Sequence, residues 1–148
     1  MPAFGLTLGP DGSLYGLTIG VSHKDGTTTG VPVAFQIAPD GTYHVLHRFD
    51  QFTDGLKPLA KLLLVGNQLF GTCSAGGGSE LTQIYGTVFV IDLSKVSPAD
   101  NAAGFGVLHY FGDPSGQFTD ANPKGALFLA SDGNLYGTTY YFGGTVFQ

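Results

Sequence analysis

Few residue types here could do chemistry: four histidines, one cysteine and eleven acids in 148 residues. His47 and His109 occupy matching words, Val45-Leu46-His47-Arg48-Phe49 and Val107-Leu108-His109-Tyr110-Phe111. Histidines that converge bind metal or shuttle protons. Equivalent positions of a repeat have different neighbours, however, so the pattern favours a structural imidazole. It would be hydrogen-bonded between repeats, on the strand face of Val45 and Phe49 or of Val107 and Phe111. His23 and His44 have no counterparts and read as a loop residue and a strand-face residue without a role. Cys73 stands where matching words have Thr18 and Thr139, which points to a small buried side chain. A nucleophile would need a partner base, and Thr72-Cys73-Ser74-Ala75-Gly76 lacks the first Gly and central Ser of a nucleophile elbow.

Two further groups are weighed the same way. Gly76-Gly77-Gly78-Ser79 leads through Glu80-Leu81-Thr82-Gln83 into another strand. A phosphate-cradling loop is followed by a helix and usually a Lys, so this is a hairpin loop. Asp54 and Asp120 each follow Thr in the link between repeats. One carboxylate per loop falls short of the about six to eight oxygens that Ca2+ takes, and turn capping is the better role. No catalytic, cofactor-binding or metal-binding residue is assigned, and the pattern leans away from an enzyme. The candidate ligand site is instead aromatic: Tyr85, Tyr140, Tyr141 and Phe142 fall in the loops that differ most between repeats, where binding usually resides on a repeated scaffold.

The elements that must position these residues are set by the repeat. Leu14-Tyr15-Gly16-Leu17-Thr18 recurs as Leu69-Phe70-Gly71-Thr72-Cys73 and as Leu135-Tyr136-Gly137-Thr138-Thr139. Val33-Ala34-Phe35-Gln36-Ile37 matches Thr87-Val88-Phe89-Val90-Ile91, and Thr145-Val146-Phe147-Gln148 begins a third copy. Phe52-Thr53-Asp54 and Phe118-Thr119-Asp120 match in turn, each followed by a proline, Pro58 or Pro123. The same words in the same order define a unit of about 55 to 66 residues.

Within a unit, apolar and polar residues alternate with period two between Gly, Pro and Asp punctuation, which predicts four short strands. In the first copy these are about Phe4 to Leu8, Leu14 to Thr18, Val31 to Ile37 and Thr42 to Phe49. Asp-Gly pairs at 11-12, 25-26, 40-41, 54-55 and 132-133 supply the positive φ of tight hairpins. Pro58 to Val65 alone resembles a helix, but its repeat partners contain Gly, Thr and Phe, so a strand is expected. Ser97 to Ala102 lies in an expanded hairpin with room for one helical turn. The expected fold is all-β: antiparallel four-stranded repeats forming about two and a half blades of a β-propeller, with a stacked β-repeat array as the alternative. The repeats span 1–57, 58–122 and a shortened 123–148.

Composition removes other functions. Net charge is −5, with six scattered cations and 11% charged residues against about 25% in ordinary domains. No basic stripe exists for nucleic acid or anionic lipid. The longest aliphatic run, Leu62 to Val65, is far short of the roughly 20 residues of a membrane helix. The chain as given shows no secretory signal, and one cysteine forms no internal disulfide. Low charge with abundant Gly, Thr, Tyr and Phe is the look of an exported β protein.

Ser131-Asp132-Gly133-Asn134-Leu135-Tyr136-Gly137-Thr138-Thr139 followed by Gly143-Gly144-Thr145-Val146-Phe147 resembles the GloVer tandem repeat of exported bacterial proteins. Val45 to Phe49 and Thr53 to Pro58 resemble its other two words. Leu17 and Cys73 depart from the threonines of the pattern. The resemblance implies many such units in an extracellular or cell-surface protein, and it brings no catalytic residues. A fainter likeness through Asp-Gly-Asn-Leu-aromatic points to propellers of the streptogramin-lyase type. The expected function is a non-catalytic module recognising a glycan or protein; the alternatives are a lyase-like propeller enzyme and a purely structural surface repeat. Two and a half blades do not close a ring, so the rest of a longer chain or a homo-oligomer is expected to complete it.

Overall fold

Short β-branched and aromatic runs cut by Gly, Pro and Asp favour strands over helices. The structure, a computed structural model, accordingly consists of antiparallel sheets with one 3-10 turn, Tyr141–Gly143, among the residues it describes: 5–22, 28–77, 85–97, 100, 102–112 and 121–148. In the first repeat β1 (Thr7–Leu8) and β2 (Leu14–Thr18) precede a small hairpin, β3 (Val21–Ser22) with β4 (Thr28–Thr29), and then β5 (Val33–Ile37) and β6 (Tyr43–Arg48). β1, β2, β5 and β6 are neighbours in that order. The second repeat has β7 (Leu56–Pro58) and β8 (Leu63–Val65), both paired with β9 (Gln68–Ala75), followed by β10 (Thr87–Asp92) and β11 (Phe105–Tyr110). The strand expected over Pro58 to Val65 is thus two pieces, and between them Leu62 turns into the core. The third sheet is β12 (Phe128–Leu129), β13 (Leu135–Thr138) and β14 (Val146–Phe147).

The hairpins close as the Asp-Gly pairs predict at three places. Gly12, Gly41 and Gly133 take φ near +84°, +86° and +83°. The preceding aspartates accept the N–H of Ser13, Thr42 and Asn134 at 3.0, 2.9 and 3.0 Å. Hydrogen bonds from these residues hold all three carboxyls below the usual carboxylate range. Asp54-Gly55 differs. It lies in the link between sheets, where Gly55 lets the backbone pass against the Cys73 and Thr87 side chains. The pair at 25–26 lies outside the described residues, as do residues 98, 99 and 101 of the loop at 97–102; the described part of that loop is turn-like, with Asp100 and Ala103 each bonded three residues back.

The repeated words have a packing reason. In each of the three larger sheets the central glycine of the Leu-aromatic-Gly word is opposite a phenylalanine of the next strand: Gly16 with Phe35, Gly71 with Phe89, Gly137 with Phe147. The phenyl ring lies across the glycine, and a Cβ there would fall inside 3.0 Å of the ring in all three. The two words therefore belong together physically.

β6 and β11 each carry a bulge at the same place. The register passes from Ala34 opposite His47 to Phe35 opposite Val45, and from Val88 opposite His109 to Phe89 opposite Val107. The extra residue breaks alternation, so Leu46 and His47 both turn inward, each 3% exposed. Strict alternation, which put His47 on the face of Val45 and Phe49, is corrected to this extent.

Two cores form between successive sheets. Tyr15, Leu17, Ala34, Leu46 and Phe49 of the first sheet and its exit pack with Leu62, Leu69, Cys73, Phe89 and Ile91 of the second. Val88 and Phe111 pack with Leu127, and Phe147 joins them from the third. The contact between sheets is itself repeated: Phe49 meets Phe89 at 5.0 Å and 70°, and Phe111 meets Phe147 at 4.9 Å and 69°.

Candidate functional site

His47 is held at the first of these contacts. Its Nε2 lies 2.8 Å from Asp54 Oδ2, and a carboxylate only accepts, so Nε2 donates. The same oxygen accepts the Asp50 N–H at 2.8 Å, and Asp54 Oδ1 accepts the Thr53 hydroxyl. Asp54 thus ties its own loop and also grips the imidazole. The ring stacks on Phe105 at 3.7 Å and 3°, and meets Phe49 edge-on. Thr87 Oγ1 donates to the Asp54 carbonyl at 2.7 Å, fastening the link to the second sheet. His109 makes the same edge contact with Phe111, at 4.8 Å and 84°, but it is exposed. The two histidines therefore serve separate sheet contacts. His44 lines an open cleft beside Tyr43 and Val45. His23 and Asp120 lie outside the described residues.

Cys73 is fully buried, and burial pushes its thiol well up from the ordinary value. The Thr87 hydroxyl pulls the other way by less, and the charge of Asp54 adds to the rise. Such a thiol is neither nucleophilic nor a metal ligand. Iodoacetamide at pH 8 is expected to leave Cys73 unmodified in the folded protein and to label it once denatured, read by intact mass. Stoichiometric labelling without unfolding would contradict this placement. Among the described residues, no three His, Cys, Asp or Glu gather as a metal-binding group, and no helix is long and apolar enough to cross a membrane.

The aromatic candidates are placed differently from one another. Tyr140 and Tyr141 are 65% and 49% exposed, with ring centroids 5.9 Å apart at 71°. Lys124 Nζ sits 3.8 Å over the Tyr140 ring, a cation–π contact. Their backbone is anchored: Tyr140 N–H donates to the carbonyls of Ala121 and Asn122, and Tyr141 N–H to Ala121. Thr139 and Thr145 close the loop base through their hydroxyls at 2.7 Å, and Thr145 N–H donates to Thr139 Oγ1. Tyr85 instead packs against the Val88, Phe111 and Leu127 core, its ring across Gly112, while its carbonyl accepts the Asn122 N–H. Asn122 takes φ +63° and donates its side-chain amide to the Ser74 carbonyl. Its Oδ1 is buried without a partner. The Phe142 side chain lies outside the described residues. Sequence reasoning missed Lys124 and Asn122, whose places depend on how the link before Pro123 runs beneath the loop.

Comparison with protein-family models, with curated proteins and with solved structures gives no match in any of the three.

Proposed function

We propose that the chain is a run of about two and a half β-propeller blades of the GloVer type, serving an exported or cell-surface protein as a non-catalytic recognition module. Its ligand is a glycan or a protein surface. The propeller reading is supported by meander order in the first two sheets, the second with β7 and β8 sharing one side of β9, by the same order in the three strands of the third, and by recurrence of the inter-sheet phenylalanine pair.

The observation that carries recognition is the Tyr140 and Tyr141 pair. Two large rings are held exposed on an anchored loop, one of them backed by a lysine. Aromatic rings on rigid supports gain contact area at little conformational cost, and an adjacent cation adds selectivity for acidic groups. The test is a panel of glycans and envelope proteins presented to the purified chain. Binding is expected to weaken at least about tenfold, roughly 1.4 kcal/mol, in the Tyr140→Ala, Tyr141→Ala double variant. Binding untouched by that variant would move recognition elsewhere, and no binding across the panel would leave a structural surface repeat.

A further inference from the structure

The first sheet turns a hydrogen-bonding row toward the second. Tyr15 is opposite Gln36, and Gln36 is opposite His44, so the three side chains share the face that packs on the second sheet through Tyr15 and Leu17. The second sheet carries Phe70, Val90 and Gly106 at the matching positions, and there Phe70 packs against the next core. A face between sheets buries apolar groups, and polar ones cost free energy in it unless they find partners. The first sheet therefore departs from the repeat at all three places of the row. A cleft of about 500 Å³ opens beside it, walled on the other side by Asn67 of the turn between β8 and β9 and by Leu93 and Val96 after β10. That volume falls within the about 300–1,000 Å³ of small-molecule sites.

The row is fixed by the protein itself. Ser13 is 1% exposed and donates its hydroxyl to Asp11 Oδ2 at 2.8 Å, since a carboxylate only accepts. The Ser13 oxygen in turn accepts Gln36 Nε2 at 2.9 Å, and Nε2 also reaches Tyr15 Oη at 3.4 Å. The amide nitrogen is thus committed. Its partner atom, Gln36 Oε1, is an acceptor that no donor reaches among the described residues. Burial, with the charge of Asp11 adding to it, pushes the Tyr15 phenol up, so it stays neutral. Across the cleft the Asn67 carbonyl accepts the Leu93 N–H at 2.9 Å, which pins that wall, while the side chains of Asn67 and His44 are exposed.

The ligand chemistry follows from what the lining holds and lacks. Two amides, an imidazole and a phenol set donors and acceptors side by side, and Leu46, Leu93 and Val96 lie among them. No Lys, Arg, Asp or Glu is among the described lining residues, so an ion would give up hydration without a partner charge. A wholly apolar ligand would leave the amides unpaired. A sugar ring meets both conditions, because each of its neighbouring hydroxyls donates and accepts and its C–H face is apolar.

We infer that this cleft binds an uncharged pyranose unit of a saccharide, with Gln36 Oε1, His44 and Asn67 taking its hydroxyls and Leu93 and Val96 its C–H face. The site is separate from the Tyr140 loop, and the inference stands whether or not that loop binds.

The probes are cellobiose, maltose, lactose and chitobiose, titrated into the whole chain and followed by calorimetry and by the His44 imidazole and the Gln36 and Asn67 side-chain amide resonances. Saturable one-to-one binding of at least one disaccharide is expected, with shifts at all three residues. His44→Ala and Asn67→Ala change exposed side chains and should each weaken that binding about fivefold. Gln36→Val, which copies the side chain of Val90 at the matching place, should weaken it at least about tenfold. Binding by none of the four would overturn the inference, as would an affinity that neither exposed variant changes, or shifts confined to Tyr140 and Tyr141. Glucuronic acid or glucosamine binding more tightly than glucose would also overturn it, since the cleft would then select an ion.

Discussion

Gly71→Ala is expected to destabilise the protein by about 3 kcal/mol, at the upper end of what overpacking a filled core costs. The added methyl would fall inside 3.0 Å of Cζ and Cε1 of Phe89 and reach Leu62 Cδ2. Leu62 can rotate away at little cost. Phe89 cannot, because it is fully buried against Phe49 and stacked with Phe105. Relief therefore requires the second sheet to open from the first, with loss of apolar burial worth roughly 25 cal/mol per Å². The mechanism has a signature beyond the magnitude. In a Phe89→Leu background, where the ring that blocks the methyl is gone, Gly71→Ala should cost less than about 1 kcal/mol. Gly41→Ala is the control: nothing lies within 4 Å of its Cβ, and only its φ of +86° is strained, which costs about 1 kcal/mol. Urea denaturation of the four variants settles the matter. A Gly71→Ala cost that is the same with Leu as with Phe at 89 would show that the glycine is needed for something other than the ring.

That glycine and phenylalanine were legible as repeated words, and the strand order followed from them, because a tandem repeat writes its packing partners at fixed spacing. The turns at 11-12, 40-41 and 132-133 were legible for a local reason: Asp-Gly needs nothing outside the hairpin. Asp54-Gly55 had the same letters but a different cause, a close approach to Cys73 and Thr87 contributed from 18 or more residues away, which no local pattern records. The bulges were hidden too, since inserting one residue shifts a face without changing composition. Phe105 was obscured by the expanded hairpin before it. Its signal was nonetheless present, in the match of Phe105-Gly106-Val107-Leu108-His109 to Tyr43-His44-Val45-Leu46-His47. The aromatic loop was found by its variability, but variability did not separate Tyr85, drawn into the core, from Tyr140 and Tyr141, left in solvent. The Tyr85 ring lies across Gly112, where a Cβ would collide with it, a close approach that loop variability does not record.

The two equivalent histidines should give opposite results. His47→Ala is expected to cost about 3 kcal/mol and His109→Ala less than about 0.5 kcal/mol, although each follows Val-Leu and adjoins the same bulge in its strand. The difference lies in what surrounds them. His47 is 3% exposed and stacked on Phe105, and it donates to Asp54, whose side chain is itself 14% exposed. Truncation empties a slot between two aromatic rings and leaves a carboxylate oxygen with the Asp50 amide as its remaining partner at that atom. Removing one member of a buried pair costs more than the pair itself contributes, because the survivor keeps its desolvation penalty. Among the described residues His109 has neither a carboxylate partner nor an aromatic lid, and the described contact that its loss removes is the edge contact with Phe111. A double-mutant cycle isolates the cause. His47→Ala combined with Asp54→Ala should be less destabilising than the sum of the single changes by at least about 1 kcal/mol. If the two changes simply add, the imidazole is held by its aromatic neighbours, the stacked Phe105 foremost, and the carboxylate serves only its own loop. In that case Phe105→Leu should reproduce most of the His47→Ala loss, and the same urea titrations read both outcomes.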